Sequence, residues 1–186
     1  MVAIPDRIYM SPEEFLEWEE QQDIKHEYIN GEVFAMTGGT IPHTTIALNL
    51  AAGLKNHLRG GKCRPFMADA KVGISGNGPF HYPDVMVSCD QRDKQAIKFI
   101  QFPCLIVEVL SPSTEAYDRG GKFQQYRRIE TLQEYVLISA DKISLDCFRL
   151  NEKGLWELHP FVEGDEVHLV SVDFTFPLSL VYEDVF

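Results

Sequence analysis

The stretch "CLIVEVLSPSTEAYDRGGKFQQYRR", Cys104 to Arg128, decides how the rest of the chain is read. Six apolar or sulfur-bearing residues, Cys104, Leu105, Ile106, Val107, Val109 and Leu110, surround a single acid, Glu108. In an extended segment side chains alternate between faces, so Leu105, Val107 and Val109 share one face and Ile106, Glu108 and Leu110 the other. Both faces are apolar except at Glu108, which predicts a central, doubly covered strand with a carboxylate at depth. An ionised carboxylate there is costly unless it is paired, hydrogen-bonded or bound to metal. A buried arginine or backbone amides would serve as well as a functional partner if Glu108 stood alone. Further on, Asp118 and Lys122 are spaced i, i+4 and share a helix face, with Tyr126 one turn beyond. That pair reads equally as a surface acid–base contact or as a lysine aimed back at the end of the Glu108 strand.

Glu108 does not stand alone. The preceding strand begins "YPDVMV", and Asp84 lies directly after Pro83, at a junction that favours extended chain. Two adjacent strands would bring Asp84 and Glu108 close together. Neighbouring carboxylates raise one another's pKa unless a cation bridges them. Mg²⁺ takes oxygen ligands, often one or two carboxylates, and keeps water and substrate phosphate in its remaining positions. Such an ion activates water and stabilises charge developing at a phosphodiester.

Outward from this segment the pattern is mixed. Ser11-Pro12-Glu13-Glu14 is a helix start, with a helix to about Gln22 carrying Phe15 and Trp18 on one face. "HEYINGEVFAM" reads as a hairpin turning at Asn30-Gly31. From Pro42 to Leu58, Ile46, Leu50, Leu54 and Leu58 form one helical stripe, closed by Gly60-Gly61, and this helix contains no acid. Strands are expected over Cys63–Ile74, Tyr82–Cys89 and Cys104–Leu110, and a helix from about Asp118 to Ile129. Further strands are expected over Glu134–Ser139, Ile143–Leu150, Leu155–Val162 and Val167–Val172. The fold class is α/β (α+β): a mixed central sheet covered by helices, with an N-terminal helix and hairpin and a β-rich C-terminal part, in one domain spanning 1–186.

Composition supports a folded core and sets limits. The chain has 186 residues and 45% hydrophobic content, without repeats or low-complexity blocks. Its apolar runs are too short for a membrane span, and "MVAIPDRIYMSPEEF" lacks the pattern of a secretory leader. Cys63, Cys89, Cys104 and Cys147 are scattered without CxxC spacing, predicting reduced, buried thiols and a cytoplasmic protein. The net charge of −11 counts against strong non-specific DNA binding unless cations cluster locally. "KFQQYRR" is one such cluster or an ordinary solvated helix face.

The segments "HEYINGEV", "PHTTIALNL", "YPDVMV", "LIVEVLSPST", "DRGGKFQQYRR" and "LQEYVLI", in this order, resemble the Uma-two family of restriction-like endonucleases, over nearly the whole chain. The resemblance implies a restriction-endonuclease-like fold of the PD-(D/E)xK kind, a site combining Asp, Glu and Lys with Mg²⁺ or Mn²⁺, and DNA as substrate. It puts the metal ligands at Asp84 and Glu108. Two residues past Glu108 stands Leu110 where the wider pattern has lysine, and Lys122 from the following helix is the candidate replacement. The helix that carries a further acid in many relatives has none here, so Glu27 or Glu32 fills that place, with Glu27 preferred. His43 reads as a helix-capping or core histidine, and its position in "PHTTIALNL" makes a site-facing role its alternative; Asp118 and Tyr126 complete the accessory set.

Other motifs do not carry chemistry. "GGKF" lacks the Ser/Thr and spacing of a phosphate-binding loop, and Asn30 stands where HExxH needs its second histidine. Ser111 and Thr114 are expected to shape the loop into the helix, and Asp69 to lie at an exposed edge. The readings are therefore a Mg²⁺-dependent endonuclease, a nuclease-fold module that binds or assembles without cutting, and a metal-dependent hydrolase of some other substrate. A homodimer is expected from the apolar chain end "PLSLVYEDVF", which a second copy would cover.

Overall fold

In the computed structural model, which describes residues 2–3 and 9–186, the Glu108 segment is a central strand, as its pattern predicts. The elements run β1 (Val2–Ala3), α1 (Pro12–Glu19), β2 (His26–Ile29), β3 (Glu32–Ala35), α2 (Ile41–His57), β4 (Arg64–Met67), β5 (Val72–Gly73), β6 (Phe80–His81), β7 (Val85–Ser88) and β8 (Pro103–Leu110). A short α3 (Glu115–Tyr117) passes through a π-helical turn, Asp118–Lys122, into α4 (Phe123–Tyr126). Then come β9 (Glu134–Ser139), β10 (Ser144–Leu150), β11 (Trp156–Val162), β12 (Glu166–Leu169) and β13 (Phe174–Pro177), with a 3₁₀ turn at Leu178–Tyr182. Six strands form the central sheet in the order β11-β10-β9-β8-β7-β4, and β8–β9 is its parallel pair. The expectation that no secretory leader is present falls largely on positions outside the described residues. Among the described residues, no helix is long and apolar enough to cross a membrane.

The two faces of β8 organise two cores. Leu105, Val107 and Val109 pack with Ile46, Leu50 and Leu54 of α2 and with Leu178 and Val181 near the chain end. Ile106 and Leu110 pack on the opposite side with Phe123, Tyr126, Tyr135 and Leu137. Burying each such side chain contributes roughly 1.5–3 kcal/mol. A third cluster, Phe15, Tyr28 and Phe80, joins α1 to the hairpin. The α1 start carries the full capping box: Ser11 Oγ accepts from the Glu14 N–H at 3.3 Å, and Glu14 Oε2 accepts from the Ser11 N–H at 2.8 Å. Asn30 and Gly31 both take positive φ, 51° and 97°, as a tight two-residue turn requires.

Several expectations are corrected. Cys63–Ile74 is not one strand: β4 stops at Met67, Ala68 turns with φ 30°, and Val72 resumes in a second, five-stranded sheet ordered β1-β3-β2-β6-β5. The helix expected from Asp118 begins earlier, at Glu115, and its helical residues end at Tyr126. β13 was not anticipated. The reduced-thiol reading fails for Cys63 and Cys89, which form a disulfide, and holds for the free, buried Cys104 and Cys147. The antiparallel register Arg64↔Ser88 sets the two flanking cysteines opposite each other, a proximity that 26 residues of separation conceal in the sequence. Of the C-terminal apolar residues, Leu178, Val181 and Tyr182 are buried in the chain's own core, while Phe186 is exposed. That leaves Phe186, 73% exposed, as the chain-end apolar surface a second copy would cover.

Candidate active site

Register brings the first two acids together. Val85 opposes Val107 in the antiparallel β7–β8 pair, which sets Asp84 level with Glu108. Asp84 Oδ2 accepts the Val109 N–H at 2.7 Å, so the edge of β8 itself fixes this carboxylate. His43 reaches the same oxygen from the first turn of α2, Nε2 to Oδ2 3.3 Å. Thr40 caps that helix, accepting the His43 N–H at 3.4 Å, and so helps set where the imidazole starts. Asp84 and His43 keep 19% and 18% of their side-chain surface exposed, making this the open end of the cluster.

The closed end is built around Lys122. Its Nζ lies 3.0 Å from Glu108 Oε1, 3.4 Å from Glu27 Oε1 and 3.4 Å from Asp118 Oδ1, all nearly buried. Lys122 thus reaches Glu108 from the π-helical turn after β8, while Leu110 packs into the apolar cluster on the Glu108 face. Tyr126 OH donates to Glu108 Oε1 at 2.8 Å, and Tyr135 OH donates to the Asp118 carbonyl at 3.0 Å. The π-helical turn holds both Asp118 and Lys122, a departure from α geometry of a kind that recurs at functional sites. Glu27 comes from β2, while its alternative Glu32 opposes Ile29 beside the turn.

One ammonium serves three carboxylates, and the consequences are uneven. Burial drives the Glu108 carboxyl well above the usual range; Lys122 opposes this, and Asp84, Asp118 and Glu27 add to it. Glu27 is buried too, yet Lys122 and His81 outweigh that cost and hold it at about 2. Burial alone would lower Lys122, but Glu108, Glu27 and Asp118 keep it firmly protonated. Glu27 Oε1 and Asp118 Oδ1 remain buried without a well-aligned hydrogen bond. The Asp84 hydrogen bond, stronger than the opposing effect of burial, raises the His43 imidazole.

All seven sequence candidates, Asp84, Glu108, Lys122, Glu27, His43, Asp118 and Tyr126, therefore converge on one place. Sequence reasoning missed His81. This fully buried residue sets Nδ1 3.2 Å from Glu27 Oε1 and Nε2 2.7 Å from Gln125 Oε1. Its signal was faint: a histidine three residues before Asp84, on a two-residue strand. Asp69 is exposed and paired with Lys25. Ser111 and Thr114 shape the turn, their hydroxyls 3.0 Å apart. A separate concavity of about 360 Å³, lined by Phe66, Lys71, Lys98 and Phe99, includes none of the converging residues.

Among the described residues, no group of three or more His, Cys, Asp or Glu side chains is arranged to hold a metal ion. The donor set still fits a hard cation held by two carboxylates and water, since Asp84 and Glu108 offer only oxygen. The surplus of acceptors over cations at the closed end points the same way.

The fold is of a nuclease-like class. The fold matches the crystal structure of a "putative nuclease belonging to DUF820" from Anabaena variabilis ATCC 29413, with a TM-score of 0.77, 16% identity, and coverage of 95% of this chain and 99% of that one. The chain belongs to the Uma2 family, described as "Putative restriction endonuclease", whose model matches residues 12–180. An uncharacterized protein of Synechocystis sp. (strain ATCC 27184 / PCC 6803 / Kazusa) is 43% identical over 93% of this chain and 91% of its own length. A second uncharacterized protein of that organism is 33% identical over 74% of this chain and 79% of its own length.

Proposed function

We propose that the protein is a divalent-metal-dependent endonuclease that hydrolyses phosphodiester bonds in DNA, with Mg²⁺ or Mn²⁺ held by Asp84 and Glu108. The observation that carries this reading is the convergence of Asp84, Glu108 and Lys122 from the residue just before β7, from β8 and from the π-helical turn after it, in a chain of the Uma2 family. When bound, the ion would polarise the phosphate and lower the pKa of a coordinated water.

The chain's own groups have separable tasks. Asp84 is presented at the open end, held by the Val109 N–H and by His43. Lys122 keeps its proton and places a fixed positive charge beside Glu108, where it can orient water and offset charge on the phosphate. Tyr126 fixes the Glu108 oxygen that faces Lys122. Glu27 stays ionised and holds the ammonium from the far side. His81 steadies Glu27 from beneath.

A non-cutting nuclease-fold module is favoured by one observation: Lys122 is already engaged by three carboxylates. Supercoiled plasmid incubated with Mg²⁺ or Mn²⁺ separates the two. The nuclease reading expects nicking that disappears in Glu108→Ala and with chelator. Nicking that persists in Glu108→Ala would sink it. Calorimetric titration of Mn²⁺ into wild type and Asp84→Asn should show binding only in the former.

A further inference from the structure

Residues 33–68 contain no Asp or Glu, although the chain holds 28 acids and a net charge of −11. The same segment carries Lys55, Arg59, Lys62 and Arg64. Folded, it forms most of β3, all of α2 and all of β4. The exposed positions Ile41, Thr44, Leu48, Ala52 and Lys55 recur at spacings of three and four, so they make one outer stripe of α2, and Arg59 follows just past its end. The helix starts at the site, where His43 touches Asp84, and ends in the basic cluster. From His43 to Lys55 the axis covers about 18 Å, at about 1.5 Å per residue.

The basic end is concave. Lys55, Arg59 and Arg64 line a depression of about 180 Å³ around Gly60, Gly61 and Cys63. Among the described residues, none of Lys55, Arg59 and Lys62 is paired with a carboxylate; the Arg59 guanidinium donates to the Asn56 side-chain oxygen at 3.1 Å. Arg64 donates to the Asp93 carbonyl at 2.7 Å and lies over the Phe66 ring, so its guanidinium has a set direction. The acids on packed elements are engaged elsewhere: Asp173, next to the Val172 carbonyl that His57 contacts, is turned to His168, Asp93 accepts from Ser88 and from the Gln101 and Phe102 N–H groups, and Asp90 is paired with Arg92. Cations offset the negative end of a helix dipole, which accounts for Lys55 and His57. It does not account for Lys62 and Arg64, which lie beyond the helix.

We propose that this surface docks the sugar-phosphate backbone of a nucleic-acid duplex, with a phosphate seated in the depression and α2 as the acid-free track leading to the carboxylates. The inference rests on the nuclease reading of the site and adds where the substrate lies. An acidic protein repels a polyanion over most of its surface, so an uncharged-to-basic lane sets both approach and orientation. At about 3.4 Å per base pair, 18 Å places the anchoring phosphate roughly five base pairs from the bond to be cut.

The test measures anisotropy of a fluorescein-labelled 20-base-pair duplex with Glu108→Gln protein, with and without Lys55→Glu/Arg59→Glu/Lys62→Glu added. Mn²⁺-dependent hydrolysis of bis(4-nitrophenyl) phosphate, too small to span the track, is measured with Glu108 intact. The charge-reversed protein is expected to bind the duplex at least tenfold more weakly at about 0.1 M salt. Its slope of log affinity against log salt should shrink by about 2.7, the scale for three lost phosphate contacts. Hydrolysis of the small diester should be unchanged. The milder Lys55→Gln/Arg59→Gln/Lys62→Gln, checked for an unaltered melting temperature, should give a smaller shift in the same direction. Unchanged duplex affinity alongside working diester hydrolysis overturns the docking surface and leaves the nuclease reading standing. Loss of diester hydrolysis in a folded variant also overturns it, because the surface is then not separate from the site. A wild type that neither binds the duplex nor hydrolyses the diester overturns both readings.

Discussion

Among the described residues two lysines are buried, and their surroundings differ in charge balance. Lys71 meets one carboxylate: its Nζ donates to Glu19 Oε2 at 2.5 Å, and Tyr82 OH donates to Glu19 Oε1 at 2.5 Å. Its ammonium also lies over the rings of Phe15 and Tyr82. One cation, one anion and a hydroxyl close that set, and both carboxylate oxygens are satisfied. Lys122 meets three carboxylates, and two acceptor atoms around it have no aligned donor. A balanced buried pair is a structural solution to desolvation. An unbalanced one keeps negative charge in excess, which a cationic ligand can use, and it costs stability until one arrives. The first cluster ties α1 to the loop before β5, whereas the second faces the open carboxylate Asp84.

The largest effects should come from removing each ammonium. Lys122→Met and Lys71→Met each leave buried carboxylate without its partner, a loss of about 3–5 kcal/mol. Rescue separates them. Adding Glu19→Gln to Lys71→Met removes the one orphaned charge and should recover most of the stability in urea unfolding. Adding Glu108→Gln to Lys122→Met leaves Glu27 and Asp118 facing each other and should recover much less. Equal recovery in the two double variants would break the distinction.

Next is Glu108→Gln against Glu19→Gln. A carboxyl held above its unfolded value favours the folded state at low pH, and that contribution is lost as pH rises through the folded value. Glu108 is such a group, so at neutral pH Glu108→Gln should unfold no more easily than wild type while cleavage falls about a hundredfold or more. Burial works against the Glu19 carboxylate too, but hydrogen bonds from Lys71 and Tyr82 hold it below the usual range, so Glu19→Gln should destabilise at neutral pH. Paired melting and plasmid-nicking curves check both outcomes.

These clusters were unequally legible before the fold was known. Alternation along Leu105–Leu110 was enough to bury Glu108, because a two-residue period leaves little freedom. Asp84 could be set beside it because strands that follow one another commonly pair. Lys122 was ambiguous by spacing alone, and only the family resemblance gave it a role. Glu19 and Lys71 carried no such signal: 52 residues separate them, and Lys71 lies past the turn that breaks the expected Cys63–Ile74 strand. The Cys63–Cys89 bridge was hidden likewise, since it depends on the β4–β7 register and on no local spacing. Contacts made by tertiary pairing between short strands leave little trace in periodicity.

A smaller effect follows from Glu27, which is held at about 2 from an ordinary 4.5. A depressed carboxyl contributes stability that is present above its unfolded value and lost as pH falls toward the folded one. Melting temperature should therefore drop between about pH 4.5 and pH 2 more steeply in wild type than in Glu27→Gln. Parallel curves would mean that Lys122 and His81 do not hold this carboxylate as described.

The smallest contrast is between the two tyrosines that donate to the buried glutamates. Tyr82→Phe takes a donor from a carboxylate that its neighbours keep ionised, and a hydrogen bond to a charged group is worth about 1.5–3 kcal/mol. Tyr126→Phe takes a donor from Glu108, whose carboxyl resists ionisation, so the bond is closer to a neutral one at about 1 kcal/mol. Urea unfolding near neutral pH should rank Tyr82→Phe as the costlier change. A divalent ion bound at Glu108 would favour its ionised form, so adding Mn²⁺ should widen the stability gap between wild type and Tyr126→Phe and leave the Tyr82→Phe gap unmoved. Reversal of that ranking, or a Mn²⁺ response at Tyr82 instead of Tyr126, would place the functional charge excess at the wrong lysine.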